Sequence, residues 1–184
     1  EEFDWVDKVS IELTTMTLAT LFDFPWEDRR KLTRWSDVAT SGKNSKLFSS
    51  EETAEQERRT ELYECVEYFM KLWNERVNAP PKNDLISLLA HGPSTRNMDR
   101  MEYLGNLVLL IVGGNDTTRN TISGSVLALN QNPEQYDKLR ANHALIPSMV
   151  SETIRWQTPL AHMRRNATRD VELGGKTIKQ GEKV

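Results

Sequence analysis

The stretch Leu107-Val108-Leu109-Leu110-Ile111-Val112-Gly113-Gly114-Asn115-Asp116-Thr117-Thr118 sets six apolar residues against six of the weaker helix formers. A helical glycine costs up to about 1 kcal/mol relative to alanine. Asn, Asp and Thr side chains compete for the backbone's own hydrogen bonds. Yet helical signals enclose the passage on both sides. Asp99 and Glu102 have capping-box spacing, with Met98 and Tyr103 placed as a hydrophobic staple. Apolar residues resume from Ile122 to Leu129. One helix is therefore expected from Asp99 to about Asn130, roughly 45–50 Å long at 1.5 Å per residue.

The residues leave two readings of the interruption. In the structural one, glycines mark a crossing helix, or a break between two helices. In the functional one, bare backbone at Gly113 and Gly114 lets a flat ligand lie close. Thr117 then bonds the Gly113 carbonyl one turn back, or releases it to face a small molecule, and Asp116 relays protons.

Outward from this helix the chain is mainly α with a small β-hairpin, an α+β pattern. Helices are expected over 3–21, from Phe24-Pro25 to about Val38, from the Ser49-Ser50-Glu51-Glu52 capping box to Pro80-Pro81, over 84–90, from Asn132-Pro133 to Arg140, and from Pro147 to just before Thr158-Pro159. Residues 40–50, rich in Gly, Ser, Lys and Asn, form a loop. Val171-Glu172-Leu173 and Lys176-Thr177-Ile178, joined by Gly174-Gly175, read as a hairpin, and a further strand begins at Lys183. A lone hairpin is marginal in water, so this one is expected to need partner strands outside the 184 residues.

Composition narrows the function. A net charge of -3 gives no case for nucleic-acid binding. The basic cluster Arg29-Arg30-Lys31 with Arg34 follows Glu27-Asp28 and reads as a solvated helix face. One cysteine, Cys65, excludes a disulfide framework, and its helical apolar stripe marks a buried core thiol. His91, His143 and His162 lack metal-ligand spacing, so no metal ligand is expected here. The apolar run 107–112 is far short of the ~20 residues needed to span a bilayer, and a cytoplasmic setting is expected.

Two further groups stand out. Glu152 and Arg155, at i,i+3, can pair on one helix face; alone, this is an ordinary surface pair. In the extended segment after Pro159, alternation sets Met163, Arg165 and Ala167 on one side. Arg165 there either snorkels past apolar neighbours or binds an anion.

In that order and spacing, Gly113-Gly114-x-Asp116-Thr117-Thr118, Glu152-x-x-Arg155 and Arg165-x-Ala167-Thr168 resemble the cytochrome P450 family. Pro25-x-Glu27-Asp28, Leu32 and Trp35-Ser36 extend the likeness to its bacterial soluble class and to the early helices, so that the whole chain is covered. The resemblance implies a partial P450 domain over 1–184. The family's N-terminal part, with its Trp-x-x-x-Arg haem contact, and the C-terminal Phe-x-x-Gly-x-x-x-Cys loop would lie outside it. These residues alone are then expected to be inactive.

Carried over to matching positions, Thr117 resembles the threonine that steers protons to the oxygen site, and Asp116 its acidic partner. Gly113 and Gly114 would border the oxygen pocket and the haem face. Arg165 resembles the haem-propionate arginine, with His162 a second contact. Glu152 and Arg155 look like the family's internal structural ion pair. Leu109, Val112, Leu160 and Met163 would line the substrate cavity.

For a whole protein the resemblance implies haem b held by a cysteine outside these residues. It also implies electrons from a ferredoxin and its reductase, and hydroxylation of a small hydrophobic substrate. The segments beginning at Leu21 and Thr158 look like the branch that hydroxylates terminal carbons of medium-chain alkanes and fatty acids. Asp23, where many bacterial relatives have Gly, is a departure that this branch shares. A sterol or terpenoid hydroxylase of the same fold, and a cofactor-free helical scaffold, are the other readings.

Overall fold

The computed structural model describes residues 2–184. A π-helical turn, Val6–Ile11, leads into α1 (Glu12–Phe22), and a 3-10 turn, Trp26–Asp28, precedes α2 (Arg30–Thr40). There follow α3 (Ala54–Val77), α4 (Leu85–His91), α5 (Arg100–Gln131), α6 (Pro133–Ala141) and α7 (Ile146–Gln157). Strands β1 (Val171–Leu173) and β2 (Lys176–Ile178) pair antiparallel. The mainly α chain with one small hairpin is as the sequence implies.

The long helix α5 is uninterrupted through 113–118. Asp99 Oδ1 accepts from the amides of Met101 (2.8 Å) and Glu102 (2.9 Å), so the expected cap is in place. Inside the helix the hydroxyls work for it rather than against it. Thr117, Thr121 and Ser125 each donate to the carbonyl four residues back, at 2.9, 2.8 and 2.7 Å.

Helices α1, α2, α3 and α5 meet in one core, which includes Leu18, Phe22, Leu32, Trp35, Phe69, Leu107 and Ile111. Phe24 stacks on Tyr68 with ring centres 4.9 Å apart, and Phe22 meets Phe69 edge-on at 5.3 Å. Such apolar side chains contribute about 1.5–3 kcal/mol each when fully buried. Cys65 sits in this core, and burial pushes its thiol up to about 12.

Three expectations are corrected. The first helix begins with a widened π turn that buries Ser10, whose hydroxyl accepts from Ser123 of α5 (2.9 Å). The Ser49–Glu52 capping box is displaced: Ser50 Oγ accepts from the Thr53 amide (3.2 Å), and the carboxylate of Glu57 takes the Ser49 amide (3.1 Å). An extra turn results, and α3 starts at Ala54. The basic cluster is a seam of ion pairs between helices rather than a purely solvated face. Arg29 meets Glu12 (3.3 Å), Arg30 meets Asp7 (3.3 Å) and Glu12, and Arg34 meets Glu61 of α3 (2.6 Å).

Asp23 ends α1 with φ 49° and ψ 48°. This left-handed conformation favours glycine and tolerates aspartate. The Asp23 carboxylate meets Arg76 at 2.7 Å, and buried Arg76 also reaches Asp84 at 3.3 Å. Asp84 in turn caps α4 through the Ser87 amide (2.8 Å). In the hairpin, Gly174 and Gly175 have φ of 59° and 74°, the two positive angles of a type I′ turn. The strand expected at Lys183 is matched by Arg165, whose amide donates to the Val184 carbonyl at 2.7 Å.

Candidate functional site

Helix α5 turns the residues of 113–118 in three directions. Gly114 faces α1, where a methyl group in place of its hydrogen would stand 2.6 Å from Leu18 Cδ2. Asn115 is fully buried on that side and accepts the Thr14 hydroxyl at 2.8 Å, while its Nδ2 has no partner. At Gly113 a methyl group would meet nothing within 4 Å. The two glycines therefore divide the two sequence readings. Gly114 is a helix-crossing glycine, and Gly113 is bare backbone on an open face.

Leu109, Gly113 and Thr117 follow one another at four-residue spacing along that open face. Leu109 is 72% exposed, and Val112 beside it is half-buried. Thr117 Oγ1 donates to the Gly113 carbonyl at 2.9 Å. One residue round the helix, Asp116 is paired with Arg119 at 2.5 Å.

The same Arg119 nitrogen, Nη2, also meets Asp37 of α2 at 2.9 Å. Burial opposes the charge on Arg119, but the hydrogen bonds and charges of the two carboxylates outweigh it and raise its pKa. Sequence reading missed Arg119 and Asp37. The Asp116-x-x-Arg119 spacing was visible, but it is the spacing of any helical surface pair, and Asp37 lies far away in the chain.

Helix α7 packs on α5 at Gly124, where a methyl group would fall 2.5 Å from Gln157 Oε1. Glu152 and Arg155 form their expected pair, with contacts of 2.6 and 2.7 Å, on the exposed side of α7. The Arg155 hydrogen bond holds the Glu152 carboxyl below its usual range. Thr158 then takes the left-handed conformation (φ 48°, ψ 60°) immediately before Pro159. A β-branched residue at positive φ is strained, and this turn directs the chain away from α7.

Leu160, His162, Met163 and Arg165 all lie exposed on the segment that follows. Among the described residues no carboxylate pairs with Arg165, whose guanidinium donates to the Arg164 carbonyl (2.8 Å). These four make no hydrogen bond to α5 among the described residues. A cleft of about 510 Å3 lies elsewhere, between α6, α7 and the far end of α5, with Glu152, Trp156 and Leu129 in its walls. Among the described residues, no cluster of three or more His, Cys, Asp or Glu side chains could hold a metal ion. No helix among them is long and apolar enough to cross a membrane.

Bare backbone, a hydroxyl and a carboxylate thus stand on adjoining faces of one long helix. The particular family follows from comparison with known proteins. The Cytochrome P450 family model matches residues 37–184, and the chain belongs to that family. It is 57% identical to CYP153D17 from Sphingomonas sp. PAMC 26605, with a TM-score of 0.83 over 98% of this chain and 44% of that one. It is 52% identical to Cytochrome P450-153 from Novosphingobium aromaticivorans, with a TM-score of 0.82 over 100% of this chain and 43% of that one. Among curated proteins, Steroid C26-monooxygenase of Mycolicibacterium smegmatis is 34% identical over 98% of this chain and 40% of its own length. The chain thus spans less than half the length of the relatives it matches. Family membership weighs against a cofactor-free scaffold.

Proposed function

We propose that these residues supply the oxygen-facing side of a haem-thiolate monooxygenase that hydroxylates terminal carbons of medium-chain alkanes or fatty acids. The observation that carries this reading is the open stripe of Leu109, Gly113 and Thr117 on α5, with Asp116 beside it.

These residues fit haem b. A flat apolar macrocycle can lie against the bare backbone at Gly113, with Leu109 beside it. Its propionates suit the guanidinium of Arg165, which no carboxylate engages among the described residues, with His162 as a further donor. The thiolate ligand would come from outside these residues, since Cys65 is enclosed in the α1–α2–α3–α5 core. Haem, when bound, supplies the redox centre at which dioxygen is activated.

The chain's own residues supply room and protons. Thr117 Oγ1, now donating to the Gly113 carbonyl, turns from it to present its proton on the open face. Asp116 has a quarter of its side chain exposed, so it can take protons from solvent and refill the path. Leu109 and Val112 on α5, with Leu160 and Met163 on the exposed segment after Pro159, would give an apolar wall that favours hydrocarbon once haem and the rest of the protein enclose them. Glu152 and Arg155 would act structurally, as an ion pair on the exposed side of α7.

The alkane and fatty-acid branch is supported by the segments beginning at Leu21 and Thr158, and by the identity to the two P450-153 structures. Electrons would come from a ferredoxin and its reductase in the cytoplasm. A steroid substrate is the second reading, favoured by the 34% identity to a steroid C26-monooxygenase.

The test uses the full-length protein that contains these residues. Its reduced form under carbon monoxide is expected to show the long-wavelength Soret band of thiolate-ligated haem. With a ferredoxin system, octane and dodecanoic acid are expected to give terminal alcohols. Haem-loaded protein without that band refutes the haem-thiolate reading. Turnover of steroids with none of alkanes or fatty acids replaces the substrate branch.

A further inference from the structure

Asp116 does not stand alone. A single nitrogen of Arg119 serves two carboxylates from two helices, Asp116 of α5 at 2.5 Å and Asp37 of α2 at 2.9 Å. The Arg119 side chain is only 14% exposed. A guanidinium at that depth is costly to leave without an anion.

Were Asp116 its sole partner, each protonation of Asp116 would strand that charge. With Asp37 on the same nitrogen, Arg119 keeps an anion in either state of Asp116. A proton that reaches Asp116 therefore does not leave the guanidinium without a partner. Arg34, one turn before Asp37 on α2, is engaged by Glu61 of α3 at 2.6 Å, so Arg119 is the cation directly on Asp37 among the described residues.

We infer that Asp37 is a positioning residue for proton transfer: through Arg119 it holds the Asp116 carboxylate in place and leaves the guanidinium an anion when Asp116 carries a proton. The inference rests on the proton-relay role proposed for Asp116. It also makes α2 part of the proton path.

The experiment compares Asp37→Asn, Asp37→Glu and Asp116→Asn in the full-length, haem-loaded protein. Three quantities are read: hydrogen peroxide released per product, the solvent deuterium isotope effect, and urea unfolding as a double-mutant cycle between positions 37 and 116. Asp37→Asn is expected to slow product formation about tenfold, the effect of about 1.4 kcal/mol on the barrier when the proton donor is held less well. It is also expected to release more peroxide and to show a larger isotope effect, at unchanged haem content. Asp37→Glu restores most of the coupling, and the unfolding cycle is non-additive.

Wild-type coupling and isotope effect in Asp37→Asn, alongside an impaired Asp116→Asn, overturn this inference alone. A fully active Asp116→Asn overturns the relay reading and this inference with it. If Asp37→Asn does not fold, Arg119→Lys puts the same question. Lysine keeps the charge without the planar fork, so the larger isotope effect is again expected, and its absence overturns the inference.

Discussion

Alanine at Gly113 and at Gly114 is expected to act in opposite directions on stability. Both sites lie in the middle of α5, so helix propensity alone favours each substitution by up to about 1 kcal/mol. At position 114 the new methyl group would stand 2.6 Å from Leu18 Cδ2 and 3.3 Å from its Cγ. Leu18 is 3% exposed and packed in the main core, so it cannot swing clear. Overpacking of this kind costs about 1–3 kcal/mol, which leaves a net loss of about 1 kcal/mol for Gly114→Ala after the helix gain is taken off. At position 113 nothing opposes the gain, so Gly113→Ala is expected to match or exceed the wild type in stability while hindering haem. The assay is urea unfolding of the full-length protein, followed by far-ultraviolet circular dichroism, with haem content read alongside. Leu18→Ala on its own costs about 2–5 kcal/mol. Combined with Gly114→Ala it should cost about 2 kcal/mol less than the sum, because the whole clash is gone while the helix gain remains. Strict additivity, or a stabilised Gly114→Ala, would refute the helix-crossing assignment.

Three further outcomes follow from the packing. Cys65 is expected to resist thiol reagents at pH 8 until the protein unfolds, because burial raises its pKa from 9.0 to about 12. The unfolded thiol ionises first, so stability from this group holds below pH 9 and is lost as the pH rises towards 12; urea midpoints that rise over that range would contradict this. Asp84→Ala removes both the α4 cap and one partner of buried Arg76, and about 2–4 kcal/mol of stability is expected to go with them. Asp84→Asn keeps the cap and is expected to cost about half as much, so equal losses in urea unfolding would show that the cap is irrelevant. Thr158→Asn, which suits the left-handed conformation better, is expected to gain about 1 kcal/mol in the same assay; a loss would show that the Thr158 hydroxyl bond to the Arg155 carbonyl (3.2 Å) matters more than the strain.

Much of the fold was legible because local chemistry repeats in it. Asp99 caps α5, Gly174 and Gly175 turn the hairpin, and the apolar stripe from Leu62 to Trp73 runs along one long helix, as their residue types imply. What failed was the part set by distant partners. Ser49 and Glu52 had capping-box spacing, but Glu57 reached back to take the Ser49 amide and moved the start of α3. The π turn at Val6–Ile11 shifts the register of the first helix, burying Ser10 where it meets Ser123 of α5, and no local signal marks it. The arginines at 29, 30 and 34 looked solvated because their partners, Glu12, Asp7 and Glu61, belong to other elements.

The site divides along the same line. The chemistry of 113–118 could be read from residue type, but its direction could not. Periodicity says that Gly113 and Gly114 sit about 100° apart on a helix; only the presence of Leu18 says which of them is packed and which is bare. The same geometry accounts for a helix that survives six poor helix formers. Gly114 lets Leu18 approach, Asn115 takes the Thr14 hydroxyl, Asp116 is tied to Arg119, and Thr117 donates to its own helix. Each weak residue except Gly113 and the exposed Thr118 is thus offset by a partner. Gly113 has no such compensation within these residues, and the proposed haem-facing role is what would account for its cost to the helix.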